Sequence, residues 1–130
     1  MPMNKSEIGK RGEDFACEIL TEKGYLITER NFHLRCGEID IIAENDSTIA
    51  FVEVKTRSSK SASMPREAVD NRKQRKIILT ALMYLQTHPK EKTPRFDVFE
   101  VWHNGKGIYK FSHIKNAFDL SAFGGEYELF

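Results

Sequence analysis

Two short apolar stretches of the sequence carry acidic side chains among their Ile, Val and Phe residues. The first stretch is residues 37–43, which contain Asp40, and the second is residues 49–55, which contain Glu53 and Lys55. Turn-forming residues separate the two stretches, so together they predict two strands of a β-hairpin. What chemistry these charged side chains could perform depends on the register of that hairpin.

The polar connection between the two strands fixes which residues face each other. A two-residue loop at residues 46–47 and a four-residue loop at residues 45–48 both give the same register. In that register Asp40 lies opposite Glu53, with Cβ atoms about 4.5–5.5 Å apart. Because side chains alternate between the two faces of a strand, Lys55 shares its face with Glu53.

Two carboxylates at this separation repel each other, and apolar neighbours leave little water to screen the repulsion. We therefore expect a compensating cation, and paired carboxylate oxygens suit Mg²⁺, which keeps several waters and takes only one or two carboxylates from a protein. Lys55 adds a fixed positive charge, because a protonated amine does not ligate a metal. This arrangement is typical of a site that cuts phosphodiester bonds. The competing interpretation is a buried Asp–Lys–Glu ion network that only specifies strand pairing.

The motif formed by Asp40 and then Glu53-x-Lys55 resembles the core of the PD-(D/E)XK nuclease superfamily. More closely, residues 37–40 together with residues 51–57 resemble the small bacterial YraN-like proteins, which are similar to archaeal Holliday-junction resolvases. The resemblance implies an α/β fold with a restriction-endonuclease-like core, in which helices flank a central mixed β-sheet of about five strands.

The resemblance covers most of residues 8–100, and Ile39 stands where the superfamily motif usually has proline. It implies an endonuclease that hydrolyses DNA phosphodiester bonds with Mg²⁺, for which Mn²⁺ can substitute, and that selects branched DNA. A chain of 130 residues that is 40% hydrophobic is long enough for one core, so we expect a single nuclease-like domain over residues 1–130.

The resemblance also assigns roles to individual residues. Asp40 and Glu53 would ligate the metal together with the backbone carbonyl of Val54. Lys55 would position the attacking water or stabilise charge in the transition state. Glu13, on the predicted first helix, would complete the site, whereas the helix alone would suggest a glutamate in solvent at the edge of the apolar stripe.

Basic residues cluster just after the predicted metal-binding strand. Between Lys55 and Lys76 there are eight basic and two acidic residues, although the whole chain has a net charge of only +1. Such a run is usually a solvated helix face, but beside a metal site it predicts a surface that holds phosphates. The predicted nucleic-acid-binding residues are Arg57, Arg72, Lys73, Gln74 and Lys76. An alternative for Gln74 is a hydrogen bond to a backbone group of the core.

Apolar periodicity and turn residues predict the remaining elements. These are helices at residues 5–22 and 67–88, strands at residues 25–34, 95–102 and 108–111, and a loop at residues 58–65. Asp97 lacks a Glu-x-Lys companion and is expected to be structural. The aromatic tail, residues 114–130, would pack back onto the sheet or mediate assembly, for example as a homodimer.

Cysteine content and hydropathy predict the cellular location of the protein, and the sequence leaves one alternative function open. Two cysteines without metal-binding spacing predict a reducing, cytoplasmic location. No apolar run approaches membrane-spanning length, so no membrane partner is expected. The alternative function is an adaptor that binds nucleic acid without cutting it. The residues also leave RNA open as the substrate, because the same groups would hold either backbone.

Overall fold

The protein is described by a computed structural model over residues 3–58 and 69–123. Most of the predicted loop at 58–65, the basic residues Lys60 and Arg66, and the end of the tail lie outside these ranges. The elements in chain order are α1 (Lys5–Glu22), β1 (Leu26–Leu34), β2 (Gly37–Glu44), β3 (Thr48–Ser58), α2 (Asn71–Thr87), β4 (Thr93–His103) and β5 (Ile108–Phe118), followed by a short 3₁₀ turn at Leu120–Phe123.

The five strands form one mixed sheet in the order β1-β2-β3-β4-β5. β3 and β4 are parallel, and the other neighbouring strands are antiparallel. A parallel pair needs a crossover connection, and α2 lies in the connection between β3 and β4. The prediction of an α/β fold, with a five-stranded mixed sheet flanked by helices as in a restriction-endonuclease-like core, is confirmed.

Each face of the sheet is covered by one helix, so the central strands are apolar on both sides. On one face Ala16 and Leu20 of α1 pack against strand residues that include Val52. On the other face Ile78 and Tyr84 of α2 pack against residues that include Phe51. A large apolar side chain contributes about 1.5–3 kcal/mol when it is fully buried. The two helices are therefore fixed against the same pair of central strands.

A glycine sets how closely α1 approaches the sheet. A Cβ atom at Gly12 would collide with the hydroxyl of Thr56 and lie 3.1 Å from a methyl carbon of Val101. Gly12 and the fully buried Ala16 permit this approach because their side chains are small. Gly9 takes no part, because nothing lies within 4 Å of the Cβ it would carry. The close contact places the next residue of α1, Glu13, beside β3.

The start of α2 differs from the prediction. Helix was expected from Glu67, which lies outside the described residues, but Val69 and Asp70 are not helical. Asp70 instead caps the helix, and its carboxylate accepts the backbone N–H of Lys73 at 2.8 Å. An N-terminal cap of this kind satisfies a backbone donor that the first helical turn leaves without a partner. The predicted start at residue 67 is therefore wrong, and the helix begins at Asn71.

The last strand is longer than predicted. β5 was expected to end at residue 111, but it continues to Phe118, which is buried and stacks on Phe96 with ring centroids 5.4 Å apart. Asn116 has a φ of 53°, in the left-handed region that Asn tolerates, and the pairing with β4 is irregular there. This irregularity hides the strand pattern in the sequence. The first part of the predicted tail therefore packs back as a strand, and residues 124–130 are not among those described.

Candidate functional site

The hairpin of β2 and β3 has the predicted register. Ile41 pairs with Val52, and the backbone N–H just before the turn donates to the carbonyl just after it at 3.0 Å, so the loop is residues 46–47. Continued by one residue, this register sets Asp40 opposite Glu53. Regular main-chain pairing ends at Ile41, and the two acidic residues therefore lie where the strands separate.

Side-chain bonding replaces main-chain pairing where β2 and β3 separate. The carboxylate of Asp40 accepts the backbone N–H of Val54 at 2.8 Å. On the other side of β2, the position opposite Asp40 is Asn31, whose φ of 51° is left-handed. The N–H and C=O of one strand residue point toward the same neighbouring strand. The carbonyl of Val54 therefore also faces the gap that holds the two carboxylates.

The two carboxylates interact strongly. Glu53 is only 6% exposed, and Asp40 is partly buried. The pKa of Asp40 is raised to about 7, first by burial and then by the negative charge and hydrogen bonding of Glu53, while the N–H of Val54 acts in the opposite direction. Without a divalent cation, Asp40 thus holds a proton at pH values up to about 7, whereas an exposed aspartate would have lost it.

The raised pKa of Asp40 predicts a pH-dependent stability of the metal-free protein. Between pH 3.8, the ordinary pKa of an aspartate, and about 7, the folded state binds the proton and the unfolded state does not. The free energy of unfolding should therefore fall as the pH rises through this window, by up to about 1.4 kcal/mol per pH unit. Urea unfolding with a chelator present would measure it, and Asp40→Asn should lack this component. A constant difference between wild type and Asp40→Asn across the window would contradict the prediction.

Glu13 faces the carboxylates from α1. Its Oε1 atom is buried and has no hydrogen-bond partner within residues 3–58 and 69–123, an arrangement that costs about 1–3 kcal/mol in a folded protein. Burial raises the pKa of Glu13, Arg30 opposes this, and nearby acidic residues including Glu53 raise it again. A buried carboxylate oxygen of this kind is suited to bind a water molecule or a cation.

The donor atoms at the gap suit a hard divalent cation. Asp40 and Glu53 offer carboxylate oxygens and Val54 offers a backbone carbonyl, which match the oxygen ligands that Mg²⁺ takes from proteins. Within residues 3–58 and 69–123, no three His, Cys, Asp or Glu side chains are grouped closely enough to hold a metal by themselves. Glu13 would therefore act through a water molecule or a second ion, while the pair on the hairpin contacts the metal directly.

The structure places a different lysine on the acidic pair from the one that the motif suggests. The ammonium nitrogen of Lys73 lies 2.5 Å from Oε1 of Glu53. Lys55 is half-buried and forms no ion pair with any residue that the structure describes. The predicted role of Lys55 at the attacking water stays a prediction. The sequence did not predict the contact of Lys73 with Glu53, because that contact depends on where α2 begins. Asp70, a residue type that favours helix N-caps, is the sequence signal that would have located the start of α2.

A basic cleft adjoins the acidic pair. It has a volume of about 650 Å³ and lies between the β1–β2 turn and the first turns of α2. Its walls include His33 and Glu38 from the hairpin and Arg72, Lys73 and Lys76 from the helix. The carboxylate of Asp70, which caps the N-terminus of α2, also lines the cleft. The three basic side chains outnumber the two carboxylates of Glu38 and Asp70, and this excess of positive charge favours an anion in the cleft.

Two of the predicted nucleic-acid-binding residues make contacts inside the protein. The guanidinium of Arg57 donates to the buried carboxylate of Glu100 at 2.9 Å. The amide nitrogen of Gln74 donates to the backbone carbonyl of Val69 at 2.6 Å, which is the structural alternative considered for this residue. Their contacts with nucleic acid stay predictions, whereas Arg72 and Lys76 are exposed at the cleft.

Asp97 is structural, as the sequence predicted. Its fully buried carboxylate accepts two hydrogen bonds from Arg95, at 2.9 and 2.8 Å, one from His113 at 2.8 Å, and one from the backbone of Asn116 at 3.0 Å. Burial raises the pKa of Asp97, but the bonds from His113 and Arg95 outweigh it, so the pKa is lowered. A carboxylate with all these partners ties β4 to β5 and has little capacity left for a metal.

Comparison with known proteins places the chain in a family. The sequence model of the family described as "Uncharacterised protein family UPF0102" matches residues 12–101 of this chain, a range that contains every predicted site residue. The chain belongs to the UPF0102 family. A UPF0102 protein of Persephonella marina is 50% identical over 113 residues, covering 86% of this chain and 93% of that protein. The UPF0102 protein TTE1452 of Caldanaerobacter subterraneus is 45% identical over 119 residues, covering 89% and 98%.

Similarity to other UPF0102 proteins extends over nearly their full lengths. A UPF0102 protein of Dictyoglomus thermophilum is 42% identical over 118 residues, and the match covers 89% of this chain and 100% of that protein. The predicted likeness to YraN-like proteins is thereby confirmed at the level of the family. In the described part of this UPF0102 protein, neither helix has the length and apolar character needed to span a membrane.

Proposed function

We propose that this UPF0102 protein is a metal-dependent endonuclease that hydrolyses DNA phosphodiester bonds. The observation that carries the proposal is the pairing of Asp40 with Glu53 across β2 and β3, where burial and mutual repulsion raise the pKa of Asp40 to about 7. Carboxylates with perturbed pKa values that converge on one site are typical of functional sites. A divalent cation would relieve the repulsion that the fold leaves in place.

Each residue of the gap has a role in this proposal. Asp40, Glu53 and the carbonyl of Val54 would hold Mg²⁺ or Mn²⁺. The bound metal would supply a water of lowered pKa and would neutralise charge on the phosphoryl oxygens. Lys55 would hold the attacking water or stabilise developing negative charge through its ammonium group. Glu13 would accept a hydrogen bond from a water at its buried Oε1, which has no partner among the residues described by the structure.

The basic cleft supports a nucleic acid as the substrate. Arg72, Lys73 and Lys76 line it next to the acidic pair, and phosphate contacts of this kind fix the position of a nucleic acid without reading its bases. Selectivity would then come from the shape of the substrate, which favours branched DNA such as a Holliday junction. Matched RNA junctions test the alternative substrate, because the same cations would hold either backbone.

One contact favours a second candidate function. The ammonium of Lys73 contacts Glu53, and an ion pair of this kind would suit a nuclease-fold protein that had become an adaptor. Such a protein would bind branched DNA in a salt-dependent way and would not cut it. Its binding would be unchanged when Glu53 is replaced by alanine, whereas binding that depends on Mg²⁺ and on Glu53 supports the nuclease.

A metal titration followed by NMR tests the proposal before any substrate is chosen. With Mg²⁺ or Mn²⁺ we expect changes confined to the β2–β3 hairpin and the part of α1 around Glu13, because those segments supply the ligands. Asp40→Asn should remove the response. Asp46→Asn is the matched control, because it removes an exposed carboxylate from the turn of the same hairpin and should leave the response intact. Changes centred elsewhere, or none at all, would overturn the proposed site.

A further inference from the structure

Lys73 holds its ammonium group where a cation is expected. The nitrogen lies 2.5 Å from Oε1 of Glu53, which is 6% exposed, whereas the side chain of Lys73 is 45% exposed. Asp40 and Glu38 are the next negative charges that act on it. The chain thus places a single positive charge on the acidic pair in the metal-free protein, with the lysine stem along the surface.

The backbone of Lys73 is fixed, but its side chain borders both Glu53 and the basic cleft. Its N–H donates to the Asp70 cap at 2.8 Å, so the first turn of α2 stays in place whichever way the side chain points. Lys73 also lines the cleft of about 650 Å³, together with Arg72 and Lys76. Those two cations repel a third ammonium while the cleft is empty, and they would stop doing so once a phosphate lay among them.

We infer that Lys73 is a resident counter-ion, which a divalent metal displaces from Glu53 and which then joins Arg72 and Lys76 as a third phosphate-binding cation. This inference rests on the proposed metal site. One ammonium carries half the charge of Mg²⁺ and does not neutralise both carboxylates. The metal therefore binds Asp40 and Glu53 more strongly than the ammonium of Lys73 does. The displaced lysine adds positive charge to the cleft when the site is loaded. Metal and phosphate binding are therefore coupled, and the coupling is reciprocal.

The affinity for the metal alone tests the displacement. In Lys73→Met, which keeps the stem and removes the charge, Mg²⁺ and Mn²⁺ should bind about tenfold more tightly by calorimetry, since no ammonium has to leave. Lys76→Met removes a charge from the same cleft without touching Glu53, and its metal affinity should change by no more than about twofold. Lys73→Gln serves as a second variant should the methionine variant fail to fold.

A spectroscopic measurement follows the lysine itself. In wild-type protein the Cε–Hε signal of Lys73, identified by its absence in Lys73→Met, should shift as Mg²⁺ is added. The corresponding signal of Lys76 should stay in place during the same titration. Binding of a phosphorothioate oligothymidylate should tighten on adding Mg²⁺ to wild-type protein, and the gain should be smaller in Lys73→Met.

The outcomes separate this inference from the proposed function. Metal binding of equal affinity in wild type and Lys73→Met, with no shift of the Lys73 signal, would overturn the inference and leave the metal site standing. Failure of both proteins to bind Mg²⁺ or Mn²⁺ would overturn the proposed site and the inference with it. Tighter binding in Lys73→Met together with the shift of the Lys73 signal supports the displacement.

Discussion

Glu53→Gln should abolish Mg²⁺-dependent cleavage of branched DNA, with a loss of at least about a thousandfold, comparable to removing a principal electrostatic contact from an active site. Glutamine keeps the shape of the side chain but removes the charge that, with Asp40, would hold the metal. Cleavage rates of a labelled four-way junction with Mg²⁺ and with Mn²⁺ would measure the effect. A variant that cuts at the wild-type rate would exclude Glu53 from the site.

Stability shows whether Glu53 serves the site or only the fold. In the metal-free protein Glu53→Gln removes the repulsion with Asp40, keeps a side chain that can hydrogen-bond to Asp40, and weakens the bond from Lys73. The free energy of unfolding should therefore change little or rise. A loss of several kcal/mol, as expected when a structural ion pair is broken, would favour the strand-pairing interpretation.

Glu44 provides the matched control on the same hairpin. It is 4% exposed, and its carboxylate contacts Lys92 at 3.0 Å, Lys90 at 3.3 Å and the hydroxyl of Thr28 at 2.6 Å. Burial raises the pKa of Glu44, but these partners outweigh it, so the pKa is lowered. Glu44→Gln should therefore lower the stability while cleavage is retained, which is the reverse of the pattern expected for Glu53.

Asp97→Ala should lower the free energy of unfolding by about 3–5 kcal/mol, which is the effect of removing one partner of a buried ion pair. The substitution leaves the guanidinium of Arg95 and the imidazole of His113 without the carboxylate that they both contact. Urea unfolding would measure the loss. Asp97→Asn, which keeps the volume of the side chain, provides a folded protein for comparison if the alanine variant does not fold.

An exposed pair gives the control for Asp97. Asp14 contacts Arg30 at 2.8 Å, but their side chains are 45% and 37% exposed, so Asp14→Ala should cost no more than about 1 kcal/mol. The metal affinity should be unchanged in Asp97→Asn, because Asp97 is bonded to β5 and not to the hairpin gap. A lost metal affinity with unchanged stability would make Asp97 a ligand and contradict its structural role.

The sequence determined those features that depend on neighbours along the chain. The hairpin register follows from the length of one short turn, so the sequence alone predicts the pairing of Asp40 with Glu53. Helix α1 has the predicted bounds, because the signals that set them are local. Its apolar residues recur every three or four positions, and Asn4 caps the first turn by accepting the N–H of Glu7.

Tertiary structure decided the features that join distant segments. The contact of Lys73 with Glu53 depends on the exact start of α2 and on the parallel crossover that brings this helix back over β3. The bonds from His113 to Asp97 depend on an irregular strand that sequence periodicity did not reveal. Alternation and turn chemistry act between near neighbours, whereas side chains far apart in sequence meet only after the sheet has buried its apolar faces under both helices.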